Sequence, residues 1–257
     1  MTVETVDYER LMKATWDLLY AAPDARQDTL IRLPYREASL LRAAMTGGFE
    51  QEVARRRGRI SPDLSRAFPL AFRVHCGLGG PTPLTGFLNS PEWRDRDYEF
   101  ARQFPAPGPL YAAFHAYALR TWPAGAPAWS LDALRLEAAR LRVGPLRGGV
   151  DRGPENLRLA EGVWVAECSF DHARTTAQLD ERCEHLPWSE AIHLVPPYPE
   201  RQVELLRVGD DGETSQLLLK GPEIDAMEWL WEGSVPVPRG AEDTSVLRTA
   251  FRTGFVA

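Results

Sequence analysis

The stretch GPLRGGVDRGPE, residues 144–155, divides the chain into two segments with different sequence patterns. Its glycines and prolines interrupt both helical and strand periodicity, which is typical of a connector. Residues 1–143 space their apolar side chains as helices do, whereas residues 156–257 mix strand and helix patterns. We therefore predict an α+β protein, with an N-terminal helical bundle at 1–143, a linker at 144–155 and a small mixed α/β domain at 156–257.

The two sides of this stretch also differ in charge. Residues 1–150 contain 20 Lys and Arg against 16 Asp and Glu, a net charge of +4, whereas residues 151–257 contain 10 against 20, a net charge of −10. The composition, with 44% hydrophobic residues, is that of a folded chain and excludes an intrinsically disordered one. The acidic half favours a basic partner and makes nucleic acid an unlikely one, because phosphates repel it.

The sequence shows neither a secretion signal nor a membrane span. Its start is acidic, and no run approaches the ~18 apolar residues that a spanning helix needs. The three cysteines, Cys76, Cys168 and Cys183, are too few for a disulfide framework. We therefore expect a cytoplasmic protein with reduced thiols and no membrane association.

Apolar spacing predicts about six short helices in the first segment, at residues 7–21, 36–46, 49–57, from Ser61-Pro62 onward, after Pro109 and after Ser130. The third of these ends in the densest basic cluster of the chain, RRRGR at residues 55–59. Cations at a helix C-terminus complement the helix dipole, and no aromatic residues interleave with these. A solvated helix end is the favoured interpretation, and a DNA-binding regulator that contacts phosphate here is the alternative.

The residue pattern of the second segment predicts a strand at residues 162–170 and a β-hairpin formed by residues 203–208 and 215–220. The intervening GDDG at 209–212 is a strong turn signal. Pro222-Glu223 predicts the start of a helix, and Gly233 its end. Residues 171–186 fit a helix or a long loop, and the tail from Val235 fits a strap or a partly mobile end.

A β-hairpin followed by a helix offers an edge strand that an extended peptide can join by backbone hydrogen bonds. Acidic side chains around such an edge would favour peptides that carry Arg or Lys. The candidate peptide-binding residues on the hairpin and at the helix start are Leu205, Arg207, Leu217, Leu219 and Glu223.

A metal-dependent enzyme is a further alternative, with Cys168, His172, Cys183 and His185 as ligands. Thiolates and imidazoles are the ligands that zinc prefers, but these spacings differ from those of zinc motifs. No serine-hydrolase, zinc-protease or kinase signature is present. We therefore expect no resident cofactor or metal and a non-catalytic role.

Several short segments together resemble a known group of proteins. They are an Ala-Phe-Pro turn at 67–69, a helix such as FHAYAL at 114–119, and a helix such as LDALRLE at 131–137 leading to a small α/β domain. This arrangement is similar to that of the partner proteins of multinuclear non-haem iron oxidases, a group classed by a DNA-binding-type domain. Such partner proteins serve the biosynthesis of peptide natural products of the methanobactin and thiaglutamate type.

The resemblance implies a specific role for this chain. It would bind a multinuclear non-haem iron oxidase and present a ribosomal precursor peptide through its C-terminal, peptide-recognition domain at 156–257. The iron ligands would belong to the oxidase and not to this chain.

Overall fold

The computed structural model describes residues 6–79, 83–96, 107–143, 158–208, 214–232, 235–236 and 244–257. The chain divides into two compact units, Met1–Ala124 and Gly125–Ala257. Helices form the described part of the first unit, and a three-stranded antiparallel sheet with helices forms the second. The predicted α+β class is therefore confirmed.

The described residues of the first unit form eight helices: α1 (Tyr8–Tyr20), α2 (Pro23–Ile31), α3 (Tyr35–Ala44), α4 (Phe49–Ala67), α5 (Ala71–Leu78), α6 (Pro83–Leu88), α7 (Pro91–Arg94) and α8 (Pro107–Arg120). The side chain of Asp7 accepts a hydrogen bond from Arg10 N and caps α1. Aromatic side chains dominate the core, with Tyr20, Phe87 and Phe114 almost fully buried. Their rings, with that of Trp93, meet at edge-on angles, as aromatic cores prefer.

Helix α4 corrects the prediction of two separate helices with a new start at Ser61. The helix runs unbroken through Pro62, although proline removes a backbone hydrogen bond within a helix. Ile60 and Leu64, four residues apart on one face, are both buried, so core packing holds the helix together across the proline. The break falls instead at Phe68–Leu70, beside Pro69, before α5 begins.

The second unit contains α9 (Trp129–Arg140), β1 (Val163–Cys168), α10 (His172–Cys183), α11 (Trp188–Leu194), β2 (Gln202–Val208), β3 (Thr214–Lys220), α12 (Pro222–Met227), a 3-10 turn (Glu228–Leu230) and α13 (Ser245–Arg252). The strand order is β1-β2-β3, so β2 is central. Val165 pairs with Leu205, which in turn pairs with Leu217. The predicted hairpin is confirmed by the pairing of β2 and β3, while its turn at 209–212 lies outside the described residues.

One face of the sheet packs into a hydrophobic core, and α9 covers part of the other face. On one face, Val203, Leu205 and Leu219 pack with Trp229 of the 3-10 turn and Leu247 of α13 in a single hydrophobic core. On the other face, α9 packs against β1. Because neighbouring residues of a strand point to opposite faces, the hydrophobic Val203 and Leu205 flank a residue, Glu204, that faces the α9 side.

The division between the two units differs from the predicted one. The predicted linker at 144–155 lies outside the described residues, and the boundary between compact units falls after Ala124. Helix α9 was predicted to belong to the N-terminal domain, but it belongs to the second unit because it packs against β1. With this boundary the second unit contains 14 Lys and Arg against 22 Asp and Glu, a net charge of −8.

The C-terminal tail differs from the strap or partly mobile end that the sequence predicted. Thr244 caps α13, which the sequence analysis missed, and Leu247 and Ala250 face the core. Beyond α13, Phe255 and Val256 are buried, and Leu159 forms a bridge with Val256. The predicted helix end at Gly233 lies outside the described residues. Among the helices described, none has the length and apolar character needed to cross a membrane.

Candidate functional site at the edge of β3

Strand β3 presents an edge to which a further strand could be added. Among the described residues, no strand pairs with its outer side. The outer side of β1 is also unpaired among these residues, and α9 packs on one face of β1, whereas the main contacts of β3 are with β2 and with α12, which follows it in the chain. An edge of this kind exposes backbone donors and acceptors that can bind an extended peptide.

The structure separates the five predicted peptide-binding residues into two groups. Leu205 and Arg207 lie on β2, whose backbone is paired on both sides, and the side chain of Leu205 is fully buried. These two residues are therefore in the wrong strand for strand addition. Leu217 and Leu219 lie on β3, but Leu219 is buried, so it would contribute its backbone alone. Glu223 is exposed at the start of α12.

The exposed side chains of β3 are residues that the sequence analysis did not select. Gln216 and Leu218 are exposed and point to the face opposite Leu217 and Leu219. Leu218 keeps 40% of its surface exposed. The segment QLLLK at residues 216–220 contains three consecutive leucines, so the sequence pattern did not show which of them faces solvent. The pairing of β3 with β2 shows it.

Carboxylates surround the C-terminal end of β3. Lys220 Nζ donates to Glu200 Oε2 at 2.8 Å and to Asp171 Oδ2 at 3.1 Å, and these hydrogen bonds raise the pKa of Lys220. The backbone N–H of Lys220 donates to Glu223 Oε2 at 3.2 Å. Three carboxylates therefore accompany one ammonium group, and this end of the edge carries a negative surplus.

An ion pair and a His–Glu hydrogen bond link α9 to the rest of the second unit. Arg140 Nε donates to Glu204 Oε2 at 2.9 Å, and Arg140 Nη2 donates to Glu204 Oε1. His172 Nε2 lies 2.9 Å from Glu137 Oε1, and both side chains are buried. The hydrogen bonds that Arg140 donates to Glu204 raise the pKa of Arg140. These contacts attach α9 to β2 and to the start of α10.

The proposed metal ligands are not brought together as a site. The described residues include Cys168, His172, Cys183 and His185, and they contain no group of three or more Cys, His, Asp or Glu arranged to hold a metal ion. His172 is engaged with Glu137 instead. The four proposed ligands therefore do not form the tetrahedral site that zinc prefers.

None of the three cysteines, all within the described residues, forms a disulfide, and their surroundings differ. Burial raises the pKa of Cys168 to about 12 and that of Cys76 to about 11. Because the thiolate is the reactive form, we expect Cys168 to resist a disulfide reagent in the native protein while the half-buried Cys183 reacts first. Mass spectrometry of timed labelling would measure this order. Fast native labelling of Cys168, as fast as in urea, would contradict it.

The basic cluster at 55–59 is partly neutralised within the first unit. Arg55 and Arg56 both donate to Glu52, and these hydrogen bonds lower the pKa of Glu52 to about 2. The guanidinium of Arg56 also lies over the Trp16 ring, and Arg57 donates to Thr85. The cluster lies within α4 and not at a helix end, so its predicted position at a helix C-terminus is wrong. Its contacts with local partners give the DNA-binding alternative no specific support.

Comparison with models of known protein families, with curated proteins and with solved structures found no significant match for this chain.

Proposed function

We propose that this chain is a non-catalytic partner protein that binds an extended precursor peptide along β3 and presents it to a peptide-modifying multinuclear non-haem iron oxidase. The observation that carries the peptide-binding part is the unpaired outer side of β3 among the described residues. The oxidase as partner comes from the sequence resemblance, the cytoplasmic location is a separate expectation from the sequence, and both are part of the same proposal.

The side chains around β3 suggest which peptides would bind. Leu217 packs against the hydrophobic core of the second unit, and Leu218 is exposed on the other face. A peptide strand that pairs with β3 would meet an apolar side chain on each face of the sheet, so apolar peptide side chains on both faces would favour binding. The carboxylates of Glu200, Glu223 and Asp171 at the end of β3 favour a basic residue there, even though Lys220 offsets part of their charge.

Two substitutions test the edge. We expect Leu218→Lys to weaken binding of a fluorescent precursor peptide about tenfold or more, because it removes apolar contact and adds a charge that repels a basic segment. Glu223→Lys should weaken binding in the same direction by charge reversal. Leu40→Lys is the matched control, because Leu40 is a similarly exposed leucine on α3 in the first unit.

The measurement is fluorescence anisotropy with labelled segments of a candidate precursor peptide. Co-purification with a multinuclear non-haem iron oxidase tests the second half of the proposal. If the unaltered protein binds no precursor segment, or if Leu40→Lys weakens binding as much as Leu218→Lys, the role of β3 is refuted. Failure to form a complex with the oxidase would refute the partner role alone.

A further inference from the structure

His75 is a buried imidazole in the aromatic core of the first unit. It lies on α5, and 2% of its surface is exposed. The rings of Phe114, Tyr117 and Trp122 surround it, with centroids 6.0, 5.2 and 6.4 Å from its own. These rings separate the imidazole from water, and a charged group is costly in such surroundings unless it is paired.

The hydrogen bonds around His75 decide which ring nitrogen carries the proton. His75 Nε2 lies 3.0 Å from Thr121 Oγ1. The Thr121 hydroxyl donates its one hydrogen to Tyr117 O at 2.7 Å, so its oxygen accepts from Nε2–H. Nδ1 therefore carries the lone pair, and it is buried without a hydrogen-bond partner among the described residues. The site thus fits the neutral ring, because a proton on Nδ1 would meet no acceptor among those residues.

The ionisable side chains on the helices around His75 do not compensate a charge on it. On α8, Arg120 lies over the Tyr117 ring and pairs with Glu92 of α7 at 2.6 Å. Helix α6 (PLTGFL) has no ionisable side chain. The others, on α5 itself and in the last two turns of α4, are Arg73, Cys76 and the ion-paired Asp63 and Arg66. Burial alone lowers the pKa of His75.

We propose that His75 makes the packing of α5 against α8 acid-sensitive, so that mild acid opens this part of the first unit. Opening exposes the imidazole to water, which solvates its charged form. Because the pKa of His75 in the folded state lies below the ordinary value of 6.5, the opened state binds the extra proton. The stability of this packing is therefore fully present above about pH 6.5 and falls as the pH drops below it. This proposal is independent of peptide binding at β3.

Cys76 follows His75 on α5 and reports the opening of that helix. The full chain is labelled with a pyridyl disulfide reagent that reacts in acid, and peptide mass spectrometry follows Cys76. Dividing the labelling rate in urea by the native rate at the same pH gives a protection factor from which thiol ionisation cancels. Between about pH 7.5 and about pH 5, we expect this factor to fall by up to about thirtyfold, the limit for an imidazole that is neutral only when folded.

Substitutions assign the effect to His75. His75→Phe suits the aromatic surroundings, and His75→Gln can still donate to Thr121, while neither side chain titrates. In both variants, the fall in protection should be at least about threefold smaller than in the unaltered protein. His193→Phe, of an exposed histidine on α11, is the matched control and should keep the full fall.

The buried His115 on α8 is unchanged in every variant, so its own titration does not enter the comparison. Constant protection of Cys76 in the unaltered protein would overturn the proposal. So would a full fall in both His75 variants, or an equal loss of the pH dependence in His193→Phe.

Discussion

Replacing Arg140 by methionine is expected to lower the free energy of unfolding of the second unit by about 3–5 kcal/mol. The substitution leaves the carboxylate of Glu204, with 2% of its side chain exposed, without the guanidinium that compensates its charge. Methionine keeps much of the apolar stem, so the loss reports mainly on the charge.

Removing the other partner of this ion pair should lower the free energy of unfolding less. Arg140 keeps 37% of its side chain exposed, so in Glu204→Leu the guanidinium can turn towards water, and we expect a loss of about 1–2 kcal/mol. The double variant Arg140→Met/Glu204→Leu should lie within about 1 kcal/mol of the unaltered protein, since an apolar pair can replace a buried ion pair.

Amide hydrogen exchange of β1 and β2 measures these effects within the second unit, and urea unfolding measures them for the whole chain. Equal losses from the two single substitutions would contradict the asymmetry. A double variant whose loss equals the sum of the two single losses would show that the pair is not energetically coupled.

Phe255→Ala should destabilise the second unit by about 3–5 kcal/mol, because it empties the space of a large side chain in a packed core. Phe255 is 1% exposed and belongs to the core that joins the sheet to α12 and α13. Its backbone also accepts a hydrogen bond from Ala160 N at 2.9 Å. The tail is therefore expected to contribute a large part of the unit's stability.

Phe251→Ala provides the matched control for this substitution. Phe251 lies four residues earlier, on α13, and is 60% exposed, so its removal should change stability by less than about 0.5 kcal/mol. Urea unfolding of both variants gives the comparison. Similar losses from the two substitutions would show that the C-terminal residues are not part of the core in solution.

Local sequence signals predicted much of the second unit. The β-hairpin was found because two apolar runs flank a glycine- and aspartate-rich turn, and α12 because Pro222 opens it. Helix α13 was missed because the proline- and glycine-rich residues before it dominated the interpretation of the tail. Helix α4 was divided in two because Pro62 disfavours a helix locally, while burial of Ile60 and Leu64 favours it through the core.

The candidate site differs in part between the sequence and the structure. Of the five residues chosen on the hairpin and at the helix start, two lie on the central strand. Which strand is central depends on the pairing of β1 with β2, and the residues of that pair are far apart in the chain. No periodicity within the hairpin carries that information.

The sequence by itself determined the α+β class, the hairpin and the charge contrast between the two halves, because these follow from the spacing and type of neighbouring residues. Only the tertiary structure decided that α9 belongs with the sheet, that β3 is an edge strand, and that Leu218 rather than Leu219 faces solvent. Those features depend on contacts between distant residues, and the burial of apolar surface selects among the pairings that local sequence allows.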